Sequence, residues 1–143
     1  MDGLGRVFNV VPVAADSPWV SLLEASAVTF VCVGANSETF TLTQARSSGG
    51  SGSTSLAPLD HYYKSTGSAG ATAWTRDNAP TSGAVVTTTT ANPVAVFTVH
   101  ESELSDGFSH VQVTSSSSGT VFAITHDLKS QRAPANLPAV CSG

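Results

Sequence analysis

The chain has 143 residues and a formal net charge of −4, with only 11% charged side chains against 41% hydrophobic ones, well below the quarter or so of charged residues usual in a soluble domain. With no cluster of Lys or Arg, counterion release has no source and nucleic-acid binding is not expected; no apolar run reaches the roughly 18 residues of a membrane-spanning helix, and strand-like apolar runs argue against disorder. This length suits a single domain over 1–143, able to bury roughly 70% of the surface its unfolded form exposes.

At the start, Asp2, Asn9 and Pro12 spoil both the basic and the apolar region of a secretory signal. Residues 1–14 are read as a candidate N-terminal arm, Gly5 to Ala14 forming a strand or extended segment at a sheet edge, because Pro12 cannot donate to a ladder. Ser17-Pro18-Trp19 pairs a cap residue with Pro at a first helical position, which predicts a short helical turn with Trp19 and Leu22 buried. Ala27 to Gly34 is continuously apolar, hence a central strand covered on both faces. Ser37 to Gln44 alternates, with Phe40 and Leu42 inward, and Gly34-Ala35-Asn36 predicts a hairpin between these two runs. The glycine- and serine-rich stretch from Ala45 to Leu56 reads as a mobile loop.

Asp60 to Ser65 and Ala71 to Arg76 are expected as strands joined through Thr66 to Gly70, Asp77 to Gly83 as a turn, and the β-branched run Ala84 to Thr90 as another strand. Val94 to His126 carries the clearest signal: three alternating runs, Val94–His100, Phe108–Val113 and Gly119–His126. Between the first two, Glu101 to Asp106 allows one helical turn closed by Gly107, where the chain crosses over. Between the last two, Ser115 to Gly119 predicts an antiparallel hairpin. Residues 127–143 contain prolines and show no periodicity, which predicts an extended C-terminal tail. About eight short strands without a long helix predict an all-β fold, an eight-stranded jelly-roll-like β-sandwich with extended N- and C-terminal arms, an immunoglobulin-like sandwich being the alternative.

No catalytic or metal constellation emerges, and neither an enzyme nor a cofactor is expected. His100 and His126 end strands beside acidic residues, but there is no His-x-His that would point two imidazoles to one face, and in the predicted hairpin His126 falls near Gly107 or Phe108 rather than His110. Gly49-Gly50-Ser51-Gly52-Ser53 lacks the last glycine of a nucleophile elbow, and no glycine run leads into a phosphate-binding Lys. Glu101 and Glu103 read as solvated charges rather than a glycosidase pair. Cys32 and Cys141 have no metal spacing and read as a buried thiol and a tail thiol. Tyr62, Tyr63 and Trp74 read first as core packing plus one exposed ring, with a sugar-stacking platform as the alternative; adjacent tyrosines point to opposite faces of a strand, so at most one joins Trp74, and Tyr63 and Trp74 are the candidate exposed aromatics.

The segment order Val28-Thr29-Phe30, Phe40 to Ala45, Tyr62 to Ser65, Ala73 to Arg76, and above all Phe97 to Val113 followed by Val121 to His126, resembles a family of tailed-bacteriophage capsid cement or decoration proteins of jelly-roll type. The resemblance is a loose pattern of strands over Val28 to Arg132, and the glycine-serine loop and the Pro-rich tail depart from it. It implies a virion structural protein, made in the host cytoplasm, that binds the outer capsid surface and bridges neighbouring major capsid proteins, associating with itself as a dimer or trimer around symmetry axes. Contact would come from the arms, with Val7, Phe8, Val10, Pro12, Leu128, Arg132 and Leu137 as candidate partner-binding residues. A tail, neck or head-fibre component and a carbohydrate-binding β-sandwich module are the alternatives.

Overall fold

Each alternating run needs a covered face, and the fold follows from where these runs find partners. A computed structural model describes residues 3–14, 16–35, 38–56, 59–65, 72–78, 85–88 and 93–137, without the side chains of 12–14 and 85–88. The expected connection at 66–70, most of the turn at 77–83, part of the connection at 34–36, and Cys141 lie outside these residues. The strands are β1 Phe8–Ala14, β2 Val20–Ser21, β3 Ala25–Val33, β4 Glu38–Ala45, β5 Thr54–Ser55, β6 His61–Ser65, β7 Thr75–Asn78, β8 Val85–Thr88, β9 Val94–His100, β10 His110–Ser115 and β11 Thr120–Leu128. They form two antiparallel sheets, one ordered β1-β11-β3-β9-β6-β7 and the other β2-β10-β4-β5 with β8 also on β4. The sheets pack as a β-sandwich.

The pairing is nested. β1 pairs with β11, β2 with β10, β3 with β9 and β4 with β8, as if the chain were one long hairpin; rolling it up then sets β11 against β3 and β10 against β4. These eight strands make two layers of four. The other three, β5, β6 and β7, are inserted between β4 and β8; β6 and β7 widen the first layer beyond β9, and β5 pairs with β4 in the second.

The inner faces carry the core. Phe30, Phe40, Leu42, Leu22, Val11, Val28, Val99, Val111, Val113 and Val121 are all buried, and Phe30 meets Phe97 at 5.5 Å between ring centroids. Truncating a fully buried aromatic such as Phe30 to Ala typically costs about 3–5 kcal/mol. Phe40 and Leu42 point inward as their alternation required, and β1 is an edge strand, as Pro12 implied.

Both predicted hairpins are corrected by this topology. β3 and β4 lie in different sheets, as do β10 and β11, so each short connection arches across the sandwich, and no register between His110 and His126 exists. A turn signal reports that the chain reverses, not whether it stays in its sheet. The buried Glu38 shows how the arches are held: its carboxylate accepts the Ala35 N–H at 2.6 Å, the Gly119 N–H at 2.5 Å and the Ser115 hydroxyl at 2.8 Å. One carboxylate thus serves both crossings, satisfying donors that a ladder would otherwise have paired.

Four further expectations change. The segment at 17–24 forms no helical turn; it supplies β2, whose Val20 and Ser21 pair with Val111 and His110, although Leu22 is buried as expected. β3 is central but alternates in burial, so one face only is fully covered. The glycine-serine loop is folded: the Arg46 N–H donates to the Ser51 carbonyl at 3.0 Å, and Gly50, at φ 76°, sits where a Cβ would lie 2.7 Å from Trp19 Nε1. The C-terminal tail begins beyond Leu128, since 127 and 128 belong to β11. Glu101–Glu103 does form a single 3₁₀ turn, and the chain changes sheet there as anticipated.

Candidate interaction surface

The inner face of the six-stranded sheet is spent on the core, so the outer face is what remains for recognition. Partners across a ladder share a face, and the register therefore places Phe122, Val31, Val96, Tyr63 and Arg76 in one row across β11, β3, β9, β6 and β7. Four of the five are apolar or aromatic. At about 4.8 Å per strand the row spans about 19 Å, with Phe122 at 37% and Tyr63 at 45% exposure. The next row, Val10, Ile124, Thr29 and Thr98, begins apolar and turns polar. There the Thr29 hydroxyl meets Thr98 Oγ1 at 2.8 Å and His126 Nε2 at 2.9 Å, while His126 Nδ1 lies 3.0 Å from the Asp127 carboxylate. His126 is thus a hydrogen-bonded member of the sheet surface.

This face ends at the β1 edge, where residues 3–7 meet Arg132 and Leu137. Residues 3–7 curl so that the Val7 N–H reaches the Gly3 carbonyl at 2.7 Å, and the Arg132 N–H donates to the Gly5 carbonyl at 2.7 Å. Gly5 has φ 80°, and a Cβ there would collide with the Arg132 carbonyl oxygen; only glycine fits. The candidate arms are consequently folded against one another. Val7 is 63% and Val10 42% exposed, Phe8 is half-buried, and Leu137 packs beside Gly5. Leu128 pairs with Ala25, and the Arg132 guanidinium lies 3.6 Å from Glu24. The register shift between Val11 and Ala14 spans Pro12, whose side chain is outside the described residues. Val7, Phe8, Arg132 and Leu137 thus share one corner. Leu23, 57% exposed, was not singled out by any sequence pattern.

Tyr63 and Trp74 are both exposed, Trp74 at 55%, and Tyr62 is buried on the opposite face, as alternation demanded. The β6–β7 hairpin that carries them is pinned by an ion pair between Lys64 and Asp77, which raises the lysine pKa and lowers that of the carboxyl, and by the Tyr62 hydroxyl donating to Asp77 at 3.3 Å. The β6–β9 ladder stops at Tyr63 and Val96. Beyond that rung the strands part, and a groove of about 360 Å³ opens between them, lined by Asp60, His61, Tyr63, Val96, Thr98, His100 and others. Trp74 lies outside it.

No protein-family model, curated protein or solved structure matches the chain. The surface has to be read on its own chemistry. Among the described residues no group of three or more His, Cys, Asp or Glu is placed to hold a metal, and no helix is long and apolar enough to cross a membrane. Cys32 is a buried thiol whose burial pushes its pKa far up, which suppresses the nucleophilic thiolate. The groove escaped sequence reading because its sides are joined only by the parting of two strands distant in the chain.

Proposed function

We propose that this chain is a phage virion structural protein that binds the outer surface of the capsid and bridges neighbouring major capsid proteins, associating with its own copies as a dimer or trimer around capsid symmetry axes. The observation that carries the reading is the charge-poor row Phe122–Val31–Val96–Tyr63 on the outer sheet face, continuous with the corner where Val7, Phe8, Arg132 and Leu137 converge. Such a surface binds through fit and dehydration, the property an interface core needs. The nested strand order β1-β11-β3-β9 over β2-β10-β4-β8 supports the finer reading of the sandwich as a jelly roll, and the segment-order resemblance to jelly-roll cement proteins points the same way.

The experiment adds purified protein to capsids lacking it. Binding together with restored resistance to heat or chelator is expected, and a Phe122→Asp variant, altered at an exposed position, should fold normally yet lose binding by about a hundredfold, the effect of removing an interface anchor worth about 2–3 kcal/mol. Failure of the native chain to bind removes the proposal. Density at the tail or neck of an intact particle, with none on the capsid lattice, would reassign the protein within the virion.

A further inference from the structure

We infer that the groove between β6 and β9 is a binding site for a neutral sugar ring, separate in its ligand from the capsid contact. Its volume of about 360 Å³ lies in the range of small-ligand sites. One wall is the exposed ring of Tyr63, with His61 set edge-on to it at 5.5 Å and 87°, which fixes the tyrosine and leaves its other surroundings open for stacking against the C–H face of a pyranose. The opposite wall offers Thr98, His100 and Glu103 as polar partners.

Of the two carboxylates in the groove, Asp60 is matched by a cation and Glu103 only by a backbone N–H. Asp60 Oδ2 accepts from His61 Nδ1 at 3.1 Å and from Arg76 Nη2 at 3.2 Å, and one Glu103 oxygen holds the His100 backbone N–H at 2.7 Å. An anionic ligand would meet the Glu103 carboxylate, which no cation faces among the described residues. Hydroxyl groups fit what is left, since Asp60 Oδ1 and His61 Nε2 have no hydrogen-bond partner among the described residues, and a carboxylate held in place by two donors can take a sugar hydroxyl at small entropic cost. With Nδ1 donating to Asp60, Nε2 of His61 is left to meet a hydroxyl, which can act as donor or acceptor. The inference does not rest on the capsid reading, although the two share Tyr63.

The test titrates the isolated full chain with glucose-, galactose- and mannose-configured disaccharides up to about 50 mM, an amount sufficient for millimolar affinities, and follows backbone amides by NMR. Expected are shifts confined to residues 59–63 and 96–103 for at least one neutral sugar, weakened about tenfold or more by Tyr63→Ala and by Asp60→Asn, with Trp74→Ala unchanged. Both groove variants alter exposed side chains, and their unperturbed amide spectra check that they fold. No shifts with any sugar, shifts that survive Tyr63→Ala, shifts centred on Trp74, or tighter binding of sialylated than of neutral glycans would each overturn the assignment. A negative result leaves the Phe122→Asp capsid experiment unaffected.

Discussion

His110 is the residue at which burial and chemistry conflict most openly. It lies in the middle of the second sheet, 2% exposed, paired with both Ser21 and Ala45, and its Nε2 has no partner among the described residues, while Nδ1 meets the Ser109 hydroxyl at 2.9 Å. Desolvation by that burial lowers its pKa from the ordinary value of 6.5. The folded chain therefore keeps the ring neutral where the unfolded chain takes up a proton. The sign follows: stability is full above the unfolded value near 6.5 and falls as pH drops below it, by at most about 1.4 kcal/mol per pH unit, until the folded pKa is passed. Urea denaturation at pH 7.5, 6 and 5 should show this decline, and His110→Gln, which cannot titrate, should flatten it over that interval. An identical slope in the variant would place the pH dependence elsewhere.

Among elements, the two arches decide the architecture. Removing the carboxylate with Glu38→Ala strands the Ala35 and Gly119 N–H groups and the Ser115 hydroxyl in a buried site, and a loss of about 3 kcal/mol or more is expected in urea denaturation. Glu38→Gln keeps an acceptor oxygen and should lose less. Strand positions were legible from alternation: β4, β9 and β11 fall close to where Phe40-x-Leu42, Val94 to His100 and Val121 to His126 placed them. Partner choice was not. Gly34 and the serine run at 115–118 mark reversals that suit a hairpin and an arch equally well, and the deciding feature is Glu38, an acidic residue on the same face as Phe40 and Leu42 that no turn signal singles out. The candidate site shows the same division, since the exposure of Tyr63 followed from its alternation with Tyr62, whereas the groove beside it depends on a ladder that ends at one rung.

At the scale of the whole molecule, nested pairing makes nearly every ladder a contact between distant parts of the chain. Phe8 pairs with His126 and Ala27 with His100, so loop-closure entropy is spent before most contacts form. Folding on a timescale of about milliseconds to seconds, rather than the microseconds of local helical folds, is expected in stopped-flow refolding followed by tryptophan fluorescence. A microsecond phase carrying the full amplitude would contradict this topology.

The hydrogen bond from Arg132 to Gly5 has a practical corollary. Two stretches separated by almost the whole polypeptide emerge at a single corner, so a short bridge of residues placed there would join them without disturbing either layer, and new ends opened in the surface loop around Ser51 would give a circularly permuted protein with the same core. A payload fused at either side of that corner would be displayed from one spot on the molecule.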